Sequence, residues 1–514
     1  MSNRYFYTIV LLLSLSLCSF LRAEDSISLS KSDYLQILDR LARLENKIDS
    51  VQKTDAQTGA TKIVDAQTGA TKVIDAQTGA TIVKTTPDKQ TTEKKDEPEK
   101  GKTTPKWIHN RLTIGGYGEA VMTRNFFSDH FNRYKDPVAY KNGRSNGQFD
   151  LPHVVINIGY DFGHGWSMGT EIEFEHGGTE SAVEIDADEA GEYEAEVEKG
   201  GEVALEQFWI NKKFFRELQI KMGEIVVPVG MTNSHHLPTE FFTAYRNEGE
   251  MRLFPCTWHQ LGVELWGKNE YIGYQLQFLA GLDAERFSAP YFVHYGATSP
   301  YEFKLANGYA FAGRVDGYIP KTGLRLSVSG YVGNTIANTQ YSGVYNSKYD
   351  KVKGTLLIGS FDFEWKKFGI IMRGNIDYAH LGNADEIWNL FQYLSKHKYQ
   401  DGSPRKGTPV NSKALCGGVQ LGYDIFHYIP KLHERQMQLI PFCVYEYYNP
   451  VYGKGINSVN YEYMDRHRVA CGVNFYPIKE VVIKAEYSKR FLKGIYNNEP
   501  SFSLSVAYSG WFKF

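Results

Sequence analysis

The feature that most constrains this chain is a long series of segments in which apolar and polar residues alternate. In residues 166–176, one side carries tryptophan, methionine, isoleucine and phenylalanine, and the other carries three glutamates. Similar runs recur throughout 111–514, and only residues 384–397 have a helical period. Alternation with a period of two is typical of a β-strand that has one apolar and one polar face. The region 111–514 is therefore predicted to be all-β.

Along the chain, long connections between these segments alternate with short ones. A soluble sandwich has no reason to place all its short turns at one end, whereas an outer-membrane barrel has short periplasmic turns and long external loops. We therefore predict a 16-stranded antiparallel transmembrane β-barrel. Its sixteen strands are predicted at 111–124, 147–160, 166–176, 203–213, 218–226, 258–268, 272–280, 309–318, 324–332, 353–365, 369–380, 415–427, 437–449, 466–476, 481–492 and 502–514.

The average composition conceals this pattern. The chain has a mean hydropathy of -0.40, and its 57 basic and 59 acidic residues give a formal net charge of -2. After the N-terminus no window approaches about 18 uninterrupted apolar residues, which excludes a polytopic helical membrane protein. A barrel is compatible with these values because alternating faces average to a low hydropathy. The near-neutral charge argues against nucleic acid as a partner.

The first residues are typical of a secretory signal peptide. Arg4 is followed by the apolar run 5–21, then by Arg22-Ala23 and an acidic stretch. We predict a signal peptide at 1–23 with cleavage after Ala23, so that the mature protein is exported. The alternative, a single membrane anchor, would need a longer apolar span.

Four cysteines remain after this peptide: Cys256, Cys416, Cys443 and Cys471. They are too far apart for a Cys-x-x-Cys metal site. Cys443 and Cys471 lie on neighbouring predicted strands and are able to pair. The alternative is that all four are small apolar residues.

Three segments are predicted between the signal peptide and the barrel. Residues 24–54 carry apolar residues at spacings of three and four, which predicts a short coiled coil, or alternatively an amphipathic helix docked on its own domain. In 55–84 the motif Asp-Ala-Gln-Thr-Gly-Ala-Thr occurs three times with a period of ten. These repeats could extend an oligomeric stalk or act as a spacer. Residues 85–110 are rich in lysine, threonine and acids and are predicted to be a polar linker.

One short motif resembles a known family. The stretch Leu-Glu-Gln-Phe-Trp-Ile at 205–210 is followed by Lys-Met-Gly-Glu-Ile-Val-Val-Pro-Val-Gly at 221–230, and then by Arg246 and Arg252. This order is similar to that in the phosphate-selective porins O and P. The resemblance implies a homotrimeric, sixteen-stranded outer-membrane channel, in some members preceded by a periplasmic coiled coil. It also implies that the long third loop, here 227–257, folds inward and narrows the pore.

The strand phases place charged side chains on the inner face of the barrel. In phosphate-specific members of the family, ladders of arginine and lysine replace the water around an anion. Here the inward carboxylates outnumber the inward cations, so phosphate selectivity is the weakest implication of the resemblance. Alternatively, the charges hydrate the wall or pair across strands. The pore-lining candidates are Arg246, Arg252, Arg314, Arg325, Arg373, Arg468, Lys484, Glu171, Glu173 and Glu175.

Two further features bear on ligand binding. Residues 177–202 contain ten acids and one lysine, and such a loop could attract cations, bind divalent ions or simply be solvated. His235 and His236 are adjacent histidines without an identifiable third ligand. We therefore predict no metal site and no cofactor.

Together these patterns predict a passive porin in the outer membrane of a Gram-negative bacterium. The barrel would contact outer-membrane lipid, the N-terminal segment would be periplasmic, and small hydrophilic solutes or inorganic ions would diffuse through the lumen. The alternatives are an anion- or phosphate-selective channel and a structural or adhesive barrel. We do not expect an enzyme, because no nucleophile with a positioned base can be identified.

Overall fold

Residues 110–176, 203–297, 306–339, 351–398, 409–453 and 462–514 are described by the computed structural model, together with short strands within 61–84 and 182–198. The chain divides into two compact units, Met1–Gly101 and Lys102–Phe514. The predicted signal peptide and coiled coil, and the predicted linker except Asn110, lie outside the described residues. Within the described ranges, no helix has the length and apolar character needed to cross a membrane.

In the first unit, the ten-residue repeats form a small antiparallel sheet. Each repeat contributes one strand, and the three strands are Thr61–Val64, Thr71–Ile74 and Thr81–Lys84. The middle strand pairs with both of the others. The repeat is therefore a series of hairpins in which every copy places its strand at the same position.

The second unit contains a closed antiparallel barrel, and its last strand pairs with its first. The second strand has two segments, both paired with the first strand and separated by Leu151-Pro152; a proline has no N–H for the strand ladder. Counted in this way the barrel has sixteen strands, which confirms the predicted fold. They are β1 (Leu112–Asn125), β2 (Asn146–Asp150 and His153–Gly163), β3 (Trp166–Glu175), β4 (Val203–Phe215), β5 (Leu218–Val226), β6 (His259–Lys268), β7 (Ile272–Ala280), β8 (Tyr309–Ile319), β9 (Leu324–Asn334), β10 (Thr355–Lys367), β11 (Ile370–Leu381), β12 (Lys413–Tyr423), β13 (Gln438–Asn449), β14 (Arg466–Ile478), β15 (Val481–Leu492) and β16 (Glu499–Lys513).

Three predicted strand boundaries differ clearly from the observed ones. The strand predicted at 147–160 continues to Gly163. The predicted strand 415–427 ends at Tyr423, because the Asp424 side chain accepts a hydrogen bond from the Phe426 N–H and begins a short 3-10 turn. The last predicted strand, 502–514, starts earlier in the structure, at Glu499. None of these differences changes which face the central residues of these strands occupy.

The outer face of the barrel is apolar and its inner face is polar. On β16, Leu504, Val506 and Tyr508 are exposed, whereas the intervening serines Ser503 and Ser505 are buried. In a soluble protein the apolar residues would be the buried ones. This inverted arrangement suits a barrel that faces lipid outside and polar groups inside.

The short connections and both ends of the barrel segment lie at the same end. Tight turns there have left-handed backbone at His164 (φ 53), Lys321 (φ 69) and Phe368 (φ 57), which matches the twist of the strands they join. The Phe514 N–H donates to the Leu112 carbonyl at 2.8 Å, which ties the two ends together. The long connections therefore emerge at the opposite end.

The described helices all lie in connections. They are α1 (Met231–Ser234) and α2 (Glu248–Leu253) between β5 and β6, α3 (Ala384–Lys398) between β11 and β12, and α4 (Pro430–Glu434) between β12 and β13. Helix α3 confirms the helical period seen at 384–397. Its residue Ile387 belongs to one apolar cluster with Leu253 and Trp258 of the β5–β6 connection. The long connections thus share a packed core at their end of the barrel.

Cys443 and Cys471 form a disulfide between β13 and β14. The two residues face each other directly in the strand register, with their Cα atoms 4.3 Å apart. Cys256 and Cys416 are free thiols. The sequence left this pairing open, and the register of the two strands decides it.

Candidate functional site: the third loop inside the barrel

The connection between β5 and β6, residues 227–258 and here called the third loop, is buried inside the barrel. Phe242 and Arg246 are each 2% exposed, and Trp258 is fully buried. The polar groups of the loop contact inward side chains on widely separated strands, including Asp150 on β2 and Ser509 on β16. They also contact β9, β10 and β12. Only a segment that crosses the interior can reach all of these strands.

Inward-facing donors hold the backbone carbonyls at the tip of the loop. Lys484 Nζ donates to the carbonyl oxygens of Phe241 and Thr243, at 3.0 and 2.8 Å. Asn474 donates to the carbonyl of Phe242 at 3.0 Å, and Arg373 donates to that of Glu240. Irregular backbone away from bulk water needs such partners, because an unpaired carbonyl there is costly.

A partly buried ion-pair cluster holds the first turn of α2. Arg490 Nε donates to Glu248 Oε2 at 2.8 Å, and Arg468 Nε lies 3.1 Å from Glu248 Oε1. Tyr448 OH donates to the same carboxylate at 2.8 Å. Burial alone would raise the pKa of Glu248, but Arg468 and Arg490 hold it well below its usual range. Glu248 is therefore ionised and joins the loop to β13, β14 and β15.

A second carboxylate organises the loop internally. Glu250 Oε1 and Oε2 accept hydrogen bonds from the N–H groups of Met231 and Thr232, at 2.7 and 2.5 Å. These donors belong to the first turn of α1, whose N–H groups have no partner within the helix. Asn375 on β11 donates to Glu250 as well. Glu250 thus connects α1, α2 and the barrel wall.

The arginines Arg314, Arg325 and Arg373 on β8, β9 and β11 are paired with carboxylates. Arg314 Nη1 lies 2.8 Å from Asp362 Oδ2, and Arg325 Nη2 lies 3.1 Å from Asp362 Oδ1. Arg314 also pairs with Asp316, and Arg373 Nε lies 2.6 Å from Glu364. These charges neutralise one another across strands, which is the alternative that the sequence left open.

Arg246 of the third loop faces the opposite, acidic part of the wall. Burial alone would lower its pKa, but Tyr117, Glu206, Glu173 and Glu119 raise it overall. Its Nε donates to the His236 carbonyl at 3.3 Å. More carboxyl groups than cationic groups lie around Arg246, so its partners on this side of the wall are acidic.

The candidates chosen from the sequence occupy different surroundings. Arg373, Arg468 and Lys484 contact the third loop directly, and Glu171 and Glu173 lie buried on the acidic wall. Arg252 instead stacks on Tyr291 of the β7–β8 connection, with 4.3 Å between its guanidinium carbon and the ring centroid. Glu175, at the end of β3, is only partly buried.

Other residues that anchor the loop are not among those candidates. They are Glu248 and Glu250 of the loop itself, and Tyr448 and Asn474 on the strands. The inward phase of Tyr448 and Asn474 could have indicated them. No sequence signal indicates which loop atom each of them meets.

Comparisons with known proteins find resemblance only at a distance. No family model matches the chain, so the resemblance to the phosphate-selective porins O and P stays a prediction. An uncharacterized protein of Aquifex aeolicus (strain VF5) is 25% identical over 403 residues, which covers 76% of this chain and 78% of that protein.

Among solved structures, the anion-selective porin from Comamonas acidovorans has a TM-score of 0.43 at 7% identity and covers 78% of this chain and 99% of that one. The outer membrane channel DcaP of Acinetobacter baumannii has a TM-score of 0.45 at 11% identity, covering 78% and 97%. Salmonella typhi OmpF has a TM-score of 0.47 at 10% identity, covering 79% and 98%.

Proposed function

We propose that the chain is a passive outer-membrane porin, through which small hydrophilic solutes or ions diffuse. The support is an antiparallel barrel of sixteen strands that is apolar outside and polar inside. Side chains fill the interior of a barrel of about eight strands, whereas barrels of about sixteen leave a wide lumen. The observation that carries the proposal is the third loop, which crosses that lumen and bonds to its wall. The loop narrows the path and sets which solutes pass.

The charge distribution favours a pore without strong anion preference. Arg314, Arg325 and Arg373 are paired with carboxylates. Arg246 lies among glutamates, and Arg252 stacks on an aromatic ring. An anion that sheds its water would need unpaired donors in its path. The phosphate-selective alternative is therefore the less favoured one.

We further infer the location and assembly of the protein. The predicted signal peptide directs export, and the short turns at the end of the barrel where β1 begins and β16 ends correspond to the periplasmic side. The segment before β1 would then be periplasmic, and lipid would cover the apolar outer face. A homotrimer fits the predicted coiled coil, because the positions of its leucines and isoleucines favour a bundle of three helices, one from each chain.

Planar-bilayer recording under a salt gradient tests the proposal. Purified, folded protein should give stable conductance steps in groups of three. The reversal potential should not lie close to the equilibrium potential of the anion. The same protein unfolded by boiling serves as the control. Folded protein that gives no conductance would refute the porin and favour a structural or adhesive barrel.

The anion-selective alternative has its own signature. A reversible block of the current by phosphate, lost in Arg246→Gln or Arg252→Gln, would establish it. A current that responds to phosphate and to chloride only in proportion to their mobilities supports the non-selective pore.

A further inference from the structure

A histidine and three glutamates meet on the inner face of the first three strands. Gly118 on β1 pairs with Val154 on β2, and His153 on β2 pairs with Glu175 on β3. Glu119, one residue beyond Gly118, therefore lies in the same row across the three strands as His153 and Glu175. Glu173 is the next inward residue of β3, so its side chain joins this row.

Both ring nitrogens of His153 face carboxylates. Its Nδ1 contacts Glu173 Oε1, and its Nε2 lies 3.9 Å from Glu119 Oε1. A neutral imidazole has one N–H donor and one acceptor nitrogen. It can therefore satisfy only one of the two carboxylates, and the other one faces a lone pair.

Glu119 is a second, independent observation that points to a cation at this cluster. The residue is 4% exposed, and neither carboxylate oxygen has a hydrogen-bond partner. Lys484 and Arg246 interact with Glu119 electrostatically, but neither donates a hydrogen bond to it. A buried carboxylate without a donor is unfavourable, and a cation on the ring nitrogen that faces Glu173 would direct the N–H of the other nitrogen toward Glu119.

We propose that His153, Glu173 and Glu175 bind a divalent transition-metal ion through the ring nitrogen of His153 that faces Glu173, and that Glu119, beside the other ring nitrogen, orients the imidazole. One ligand atom from each of His153, Glu173 and Glu175 lies within 4.8 Å of the others. Ligand atoms at about 2.1 Å from one ion are up to about 4 Å apart, so small side-chain rotations bring the set together. The ion takes the lone pair of the ring nitrogen that faces Glu173, so the ring N–H lies on Nε2, toward Glu119.

The donor set decides the class of metal. Imidazole nitrogen suits zinc and its first-row neighbours, whereas calcium and magnesium prefer oxygen ligands alone. The site joins β1, β2 and β3 on the inner face of the barrel.

Zinc titration of the mature chain, refolded in detergent, tests the site. Isothermal titration calorimetry is performed with millimolar Ca²⁺ present, which occupies acidic loops that bind hard cations. We expect one Zn²⁺ per chain, and at least a 10-fold weaker affinity in Glu119→Gln and in His153→Gln. The matched control is Glu264→Gln, which changes a fully buried carboxylate that already pairs with Lys221 at 2.9 Å. Its zinc affinity should equal that of the parent.

Two further variants keep the test decisive. Glu175→Gln changes a ligand that is more exposed than Glu119. It replaces Glu119→Gln in the titration if Glu119→Gln gives no heat-modifiable, folded band. His236→Gln changes a histidine of the third loop and should bind zinc as the parent does. Absence of stoichiometric zinc binding, or equal affinity in the parent, Glu119→Gln and His153→Gln, would overturn the proposal. So would loss of zinc in His236→Gln alone. Because binding is measured in detergent, the result does not depend on whether the barrel conducts.

Discussion

Replacing Glu248 with glutamine should release the third loop from one side of the barrel. The substitution keeps the shape of the side chain and removes its charge. In the parent, Arg490 directs two hydrogen bonds to Glu248, from Nε at 2.8 Å and from Nη2 at 2.5 Å. Arg468 also contacts Glu248, but it keeps Glu446 and Glu486 as partners. In the variant, Arg490 therefore loses its carboxylate partner, whereas Arg468 keeps two.

The size of the effect follows from this arrangement. Removing one partner of a buried ion pair costs about 3–5 kcal/mol. The side chains of Arg490 and Glu248 are 22% and 19% exposed, and Arg468 keeps other partners, so the cost here lies at the lower end, about 3 kcal/mol. Each 1.4 kcal/mol is about a factor of ten. The equilibrium between the held and the released loop should therefore shift by about 100-fold toward release.

The pH dependence of the parent has a definite sign. Because Arg468 and Arg490 lower the pKa of Glu248 despite its burial, the carboxylate is ionised at neutral pH. Its contribution is fully present above the unfolded value of about 4.3, and it is lost only as the pH falls through the lowered pKa. The parent should consequently show the same loop behaviour at pH 5 and pH 7.

Single-channel recording measures the release. Glu248→Gln should show frequent transitions to a higher conductance level that the parent visits rarely. Glu480→Gln is the matched control, because Glu480 lies in an exposed turn and pairs only weakly with Lys479, at 3.7 Å. If both variants fold normally and share the conductance levels and open times of the parent, the ion pair does not hold the loop and the reasoning fails.

Three further expectations follow from other parts of the molecule. Gly223→Ala should lower the yield of folded barrel in a heat-modifiability gel, because the backbone there has φ 133 and an added Cβ would clash with the Phe208 carbonyl. The control is Gly359→Ala, where an added Cβ meets open space, and this variant should fold as the parent does. Burial raises the pKa of Asp283 to about 6, so the folded state binds a proton more tightly than the unfolded state and parent stability should fall as the pH rises from about 4 to 6. Asp283→Asn should therefore gain most in urea-unfolding midpoint over the parent above pH 6, and equal midpoint differences at pH 4 and pH 8 would contradict this. Cys443 and Cys471 are paired. Mass spectrometry of denatured, alkylated protein should therefore show two more labelled thiols when the protein is reduced before alkylation than when it is not.

The strand series could be predicted because its signal is local. Each strand alternates with a period of two, and the phase alone decides which side chains face inward. Inward glutamates such as Glu171 and Glu173 and inward cations such as Lys484 followed from phase. The same rule is wrong at Glu206, because a β-bulge between Leu205 and Gln207 turns this residue into the barrel.

The partners of the inward side chains could not be predicted, because they depend on register and loop path. Glu248 and Arg490 are separated by 242 positions, and nothing in their local sequence connects them. Likewise, His153 and Glu175 become neighbours only through the pairing of β2 with β3. A site assembled across strands is invisible to spacing rules that work within one segment.

The path of the third loop has a consequence for the order in which the barrel assembles. Its sequence ends before β6 begins, yet its anchors Arg468, Lys484 and Arg490 lie on β14 and β15. Contacts between such distant parts of a chain carry a large entropy cost and form late. The loop therefore cannot reach its final position until β14 and β15 have joined the barrel. Until then, Arg468, Lys484 and Arg490 lack their final partners. Completion of the cylinder and docking of the loop become the last, mutually dependent steps of folding.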